Sequence, residues 1–216
     1  MSMPSLLLLA PAAVLAGALV AVPAARSAAP AEAGLTVERS VLAASAAEAY
    51  GFDSVHSCAL FRVQHLGAGL FIGRFNVLEG SFTFDGTGDS PPTFDVSIPI
   101  DSVDTNNSRL DSHLKSPDFF NATEFPAMIF KSTGATKTGE RTWKVSGDLT
   151  MLGVTKPVTA EVLWTGTATM RDKRSGFEAT FTVDRSDFGM NYGIENGSLG
   201  DETRVTVSME GVAKAG

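Results

Sequence analysis

The sequence predicts an all-β fold, an eight-stranded antiparallel β-barrel with one short helical insert, and three observations carry that expectation. Beyond Tyr50, where all 14 phenylalanines lie, eight runs alternate apolar and polar residues, the period of strands that bury one face. Turn-forming residues separate the runs, at Asp85-Gly86 with Gly88, Thr138-Gly139, Asp172 to Gly176 and Asn191 to Asp201; Gly, Asn and Asp tolerate the backbone angles that antiparallel connections require. Closure removes the unpaired edges that an open sheet of such strands would expose. A two-sheet sandwich is the alternative.

The N-terminus, residues 1–33, reads as a signal peptide: an apolar run from Leu6 to Val22 precedes small-residue sites at Ser27-Ala28-Ala29 and Ala31-Glu32-Ala33. A retained anchor is the other reading, because 17 residues is the lower limit for spanning a bilayer. Either way the chain is expected to be exported, periplasmic or secreted. Residues 34–49, including ERSVLAASAAE, are alanine-rich and form a linker or short helix. The β domain occupies 50–216. Cys58 is the sole cysteine, so packing rather than an internal disulfide must stabilise it, and a half-buried thiol is the expected state.

Within the domain, Val55, Ala59, Phe61 and Val63 alternate first. Phe75, Val77, Phe82 and Phe84 mark the second run, whose parity slips near Gly80 as a β-bulge would make it. Phe94, Val96, Ile98 and Ile100 form the third, and Met128, Phe130 and Ser132 the fourth. The fifth holds Trp143, Val145, Gly147, Leu149 and Met151, the sixth Val158, Ala160, Val162 and Trp164. The last two hold Phe177, Ala179, Phe181 and Val183, then Val205, Val207, Met209, Gly211 and Ala213. Between the third and fourth runs, Asp104 to Pro126 lacks alternation and spaces Leu110, Leu114 and Phe119 at roughly helical intervals, which predicts one short helix and a loop.

Composition narrows the function. A net charge of −7 with scattered Lys and Arg excludes a sustained basic field, so no nucleic acid partner is expected. Neither a G-x-S-x-G elbow, H-E-x-x-H, Walker A nor a dinucleotide glycine pattern occurs, and no catalytic residue is assigned. Asp184-Arg185-Ser186-Asp187 reads as a strand-end turn with an ion pair. His56 and His65 fall on opposite faces of a regular strand and His113 on a solvated helix face, so no metal is expected. An eight-stranded barrel either fills its interior or holds one small ligand, and the small inward residues Ala59, Ala160, Ala179, Gly147, Gly211 and Ala213 leave room. With 14 Phe to 2 Tyr, the interior suits a long apolar ligand.

Y-x-x-D at Tyr50 to Asp53, F-x-V-x-H-x-G at Phe61 to Gly67 and G-x-F at Gly73 to Phe75 occur in order. They are followed by LDSHLKSPDFFNATEFPAMIFKST (Leu110 to Thr133), GDLTMLGVTKPVT (Gly147 to Thr159), DRSDFGM (Asp184 to Met190) and LGDETRVTVSMEG. This set resembles the YceI-like family of periplasmic polyisoprenoid-binding proteins. The resemblance implies a lipocalin-like barrel whose elongated cavity holds an isoprenoid chain, a polyprenyl phosphate or a quinone tail, as ligand with no separate cofactor. The alanine-rich lead from Gly34 to Ala49 and the polar MNYGIENGSLGDE loop depart from the pattern.

Inward parity makes Phe61, Val63, Phe75, Phe82, Val96, Ile98, Phe130, Trp143, Val145, Val162, Trp164, Phe181 and Val207 the expected lining, with Phe119, Phe120 and Phe125 closing one end. His65 ends the greasy row of Phe61 and Val63; it and Arg185 either meet a ligand's head or satisfy protein partners. An exposed mouth would suit transient contact with a membrane or membrane protein, or pairing into a homodimer. A filled barrel serving stress response or partner binding, and an enzyme acting on an isoprenoid lipid, are the competing readings.

Overall fold

The computed structural model describes residues 46–214. Among them the chain forms β1 (Glu48–Phe52), β2 (Cys58–His65), β3 (Gly69–Phe75), β4 (Glu79–Phe84), β5 (Thr93–Pro99), β6 (Val103–Asp104) and α1 (Ser108–Leu114). β7 (Ala127–Lys137), β8 (Thr142–Met151), β9 (Val154–Thr169), β10 (Lys173–Asp184) and β11 (Leu199–Ala213) follow. All pairings are antiparallel, and the order β1-β4-β5-β7-β8-β9-β10-β11 closes back on β1 through Phe52↔Gly211 and Tyr50↔Ala213. Eight strands therefore make a closed barrel. β2 pairs with β11 beyond β1, β3 with β2, and β6 with β3, so β1–β2, β3–β4 and β5–β6 are interrupted continuations of three walls.

The interruptions have local causes. Asp53 Oδ1 accepts the backbone N–H groups of Val55 and His56, tying a turn between β1 and β2. Val55, expected inside, is consequently 81% exposed on that turn. Asn76 to Leu78 breaks β3 from β4: Asn76 N donates to Ser102 O and its side-chain amide to Asp104, and Leu78, not Val77, turns into the core. This break makes the parity slip expected from a bulge at Gly80, because β4 and β5 pair without a register shift. Gly80 has its own reason for being glycine: φ is +109° and a Cβ would collide with Asp95 O. The register shifts fall elsewhere, between Ser132 and Gly134, Gly176 and Phe177, and Leu199 and Thr203.

Asn107 caps α1, its side chain accepting from Arg109 N and Leu110 N at 3.1 Å. Leu114, Phe119 and Phe120 carry this insert onto the barrel.

One end of the barrel is filled with aromatic rings. Tyr50 stacks on Phe82 at 4.9 Å, and Phe177 meets Phe82, Phe84 and Phe94 edge to face at 5.2, 5.1 and 5.3 Å. Trp143 is 1% exposed and packs edge-on to Phe84, the quadrupole-favoured geometry. Gly211 admits these rings, since a Cβ there would lie 2.5 Å from the Phe82 ring and 2.8 Å from Tyr50 Cβ; elsewhere in the barrel a Cβ on Gly147 would strike Phe130. The small residues Gly211 and Gly147 thus seat aromatics instead of widening a cavity. Asp85 shuts this end, its carboxylate accepting from Thr87, Gly88 and Ser90 N–H.

Candidate functional site

The opposite end encloses a cavity of about 150 Å³. It is lined by side chains that the period-two pattern of the strands turns inward: Ala59, Phe61 and Val63 from β2, Val96 and Ile98 from β5, Val145, Leu149 and Met151 from β8, Val158, Ala160 and Val162 from β9, Ala179, Phe181 and Val183 from β10, and Val205, Val207 and Met209 from β11. Phe75, Phe94, Met128, Phe130, Leu199 and Met190 add to the wall, and Leu114, Phe119 and Phe120 bring the helical insert over it. The surface is almost wholly apolar; Arg185 and Thr203 are the polar side chains among the lining residues.

Arg185 is 6% exposed and begins a 3-10 turn, Arg185–Phe188, at the end of β10. The expected ion pair within Asp184 to Asp187 is absent among the described residues; the guanidinium instead donates to three backbone carbonyls. Nε and Nη2 reach Gly200 O at 3.0 and 2.8 Å, Nη1 and Nη2 reach Tyr192 O at 3.3 Å, and Nη1 reaches Met190 O at 3.4 Å. Those bonds pin the Met190 to Gly200 loop against the barrel. Burial draws the Arg185 pKa below its ordinary value, and the Asp201 carboxylate opposes the shift. Asp201 itself accepts from Ser186 N and Oγ. Five N–H bonds to carbonyls leave the guanidinium's charge, but no free donor, facing the cavity.

Thr203 is 8% exposed, lines the cavity, and its Oγ1 is buried with no hydrogen-bond partner among the described residues. A buried hydroxyl left unpaired costs roughly 1–3 kcal/mol. Its position was readable from parity, two residues before Val205 and four before Val207, but threonine in a strand reads as an outward polar residue.

Phe61, Val63, Phe75, Val96, Ile98, Phe119, Phe120, Phe130, Val145, Val162, Phe181, Arg185 and Val207 all line the cavity. Phe82 and Trp143 lie instead in the aromatic end, as does Trp164, whose Nε1 donates to Ser175 Oγ at 3.1 Å while it packs against Phe84. Alternation assigns a face and not a height along the barrel axis, so these three shared the inward parity without reaching the cavity. Phe125 packs over Gly153. His65 is exposed: the cavity lining contributed by β2 ends at Val63, and after His65, the last residue of the strand, the chain turns back through Leu66 and Gly67, both at positive φ. Met128, Met151 and Met209 stood in the alternating runs without being counted among the expected lining, and Met190 lies in the loop after β10, where no strand pattern could mark it.

His113 bonds Asp118 at 3.0 Å and meets Phe119 and Tyr192 edge to face, joining the helical insert to the Met190 to Gly200 loop. A second polar cluster lies away from the cavity. Asp53, His56 and Glu210 bring ligating atoms within 4.8 Å of one another, a convergence not foreseen from sequence. Arg174 Nη1 sits between the two carboxylates, 2.6 Å from each, and with the Val55 N–H and the His56 imidazole it holds the Asp53 carboxyl well below the usual range. The guanidinium supplies there the positive charge a cation would bring.

Residues 50–211 match the family model described as YceI-like domain. A relative from Photorhabdus laumondii, UPF0312 protein plu2095, is 40% identical over 185 residues, covering 83% of this chain and 95% of its own. The crystal structure of the Campylobacter jejuni YCEI protein superimposes with a TM-score of 0.64 at 28% identity, over 70% of this chain and 90% of that one. A domain from Saccharophagus degradans described as polyisoprenoid binding and implicated in plant cell wall breakdown shares the fold. Its TM-score is 0.61 at 17% identity, over 77% and 99% of the two chains. Matched over most of its length by the family model, and folded as the closed barrel its relatives share, the chain belongs to the YceI-like family.

Proposed function

We propose that the protein is an exported carrier holding one isoprenoid chain, a polyprenyl phosphate or the tail of an isoprenoid quinone, inside the barrel. The observation that carries this reading is a cavity walled by Val, Ala, Phe, Met and Leu, with Arg185 and Thr203 its polar contributors. The space measures about 150 Å³, and its wall is apolar apart from those two side chains, which suits an apolar guest. Four methionines in the wall adapt to a bent, methyl-branched guest. Burying five apolar carbons stabilises the complex by about 4 kcal/mol per isoprene unit before ordering costs. A terminal oxygen of the ligand would meet the unpartnered Thr203 hydroxyl, with the Arg185 charge behind it. The polyisoprenoid-binding description of the Saccharophagus degradans domain supports the same ligand class. The apolar run and small-residue sites of the N-terminus support export to a periplasmic or secreted location. The protein acts by shielding its ligand rather than by turning it over.

The test is organic extraction of protein purified from an isoprenoid-producing host, with mass spectrometry of the extract. A polyprenyl or quinone species near one per protein is expected, and Val145→Trp, which fills the cavity from β8, removes it while the fold persists. Thr203→Val keeps the apolar tail bound and weakens retention about 2-fold to 13-fold, the range for one hydrogen bond. An empty extract from folded wild-type protein refutes carriage.

A further inference from the structure

We infer that the outer face of the β2–β3 hairpin docks the protein onto an anionic phospholipid bilayer. Arg62 and Arg204 stand directly opposite each other in the β2–β11 ladder. Both point outward, since their neighbours Phe61, Val63, Thr203 and Val205 line the cavity. Like charges so placed repel, and neither arginine makes an ion pair among the described residues. They flank an open groove of about 610 Å³ whose other walls include Ile72, Thr180, Thr182 and Thr206. The outward carboxylates nearest the groove are Glu202 and Asp184, paired in register with each other, Glu178, two residues along β10 from Thr180, and Glu161, opposite Thr180 and ion-paired with Lys144.

An apolar surface adjoins this groove. Ile72 lies opposite Arg62 in the β2–β3 ladder, and Leu66, Leu70 and Ile72 are 62, 60 and 56% exposed. From Ser54 to Leu78 the chain contains no acidic residue, in a protein of net charge −7. Exposed aliphatic side chains grouped on one hairpin mark an interaction surface. Unpaired arginines beside them select a partner that is apolar beneath an anionic layer, the arrangement of a phospholipid interface.

The placement connects to the cavity. The hairpin tip lies against the loop that closes the barrel: Leu66 N donates to Ser198 O, and His65 pairs with Leu199, a lining residue. Docking on this face brings the loop held by Arg185 to the membrane surface. The inference concerns the outside of the barrel and stands whether or not the cavity carries an isoprenoid.

The test is flotation with vesicles of phosphatidylglycerol or phosphatidylcholine, using the protein in the form its producing cell delivers. Wild type is expected to partition onto phosphatidylglycerol vesicles, to favour them over phosphatidylcholine, and to be released by 0.5 M salt, as screening requires. Arg62→Gln with Arg204→Gln lowers that partition about 10-fold or more, and Leu70→Ser with Ile72→Ser lowers it comparably. Arg204→Gln alone leaves Tm unchanged or raises it, because it relieves a repulsion, which separates lost docking from lost folding. Equal binding to both vesicles, binding to neither, or an arginine double variant that floats like wild type overturns the inference. So does a dimer in analytical ultracentrifugation that Leu70→Ser with Ile72→Ser dissociates, since the face then belongs to a second copy.

Discussion

The two ends of this barrel are made by the same strands, yet one is packed solid and the other is hollow. Around the aromatic end, Tyr50, Phe82, Phe84, Phe94, Trp143 and Phe177 reach across the barrel and interlock with ring centroids 4.9 to 6.4 Å apart. Around the cavity end, β8 to β11 contribute mostly Val, Ala, Leu and Met, whose side chains are too short to meet their counterparts across eight strands. The strand number sets the interior diameter, and side-chain length then decides whether it is filled. Glycine placement sharpens the contrast, because Gly211 admits Phe82 and Tyr50 where a Cβ would exclude them.

The difference is open to direct attack. Trp143→Ala is expected to have the largest effect, about 3–5 kcal/mol in denaturant unfolding, because it opens a void where none exists. Met151→Ala, in the cavity wall, is expected to cost about 2 kcal/mol, the bottom of the range for such truncations, since it enlarges a space already present. Equal losses at the two sites would erase the distinction between the ends. A smaller effect, about 1 kcal/mol at the bottom of the range for overpacking, is expected from Gly211→Ala against Phe82 and Tyr50. Gly134→Ala, with no atom within 4 Å of the added methyl, is the matched comparison and is expected to stay within about 0.5 kcal/mol of wild type.

Acid sharpens the contrast further, with an effect below that of Gly211→Ala. Burial raises the Asp85 pKa, but N–H bonds from Ser90, Thr87 and Gly88 outweigh it and hold the carboxyl below its ordinary 3.8. A depressed carboxyl stabilises the fold fully above its unfolded pKa and loses that contribution as pH falls through the folded value. Tm measured downward from about pH 5 therefore declines through the region near and below 3.8, and Asp85→Asn flattens the decline. Asp201 at the cavity end is likewise held below 3.8, burial being outweighed by its Ser186 bonds and the Arg185 charge, so Asp85→Asn removes only the aromatic end's share of the decline and Asp201→Asn the cavity end's.

Much of this was legible in the chain. The eight alternating runs correspond to the eight walls of the barrel, and the Leu110 and Leu114 spacing corresponds to α1. Alternation also identified Val96, Val145, Val162 and Val207 as inward, and they line the cavity. It failed for Val55, where Asp53 captures the backbone into a turn, and for His65, where the parity continues one step beyond the wall. It placed Phe82, Trp143 and Trp164 on the right face but at the wrong end. Gly147 was read as spare room, although the Phe130 ring occupies the space its missing side chain leaves.

The sequence by itself determined which face most strands bury, where several of the turns and the one α-helix among the described residues fall, and the family to which the chain is similar. These follow from local rules, since backbone period, turn chemistry and capping act over a few residues. Tertiary structure alone decided the pairing of Tyr50 with Ala213 that closes the barrel, the division into a filled and a hollow end, and the burial of Arg185 on the carbonyls of Met190, Tyr192 and Gly200. It also set Arg62 against Arg204 on the outer surface. Each of these joins residues distant along the chain, and their meeting is governed by barrel diameter, register and side-chain volume, which no short stretch of sequence carries.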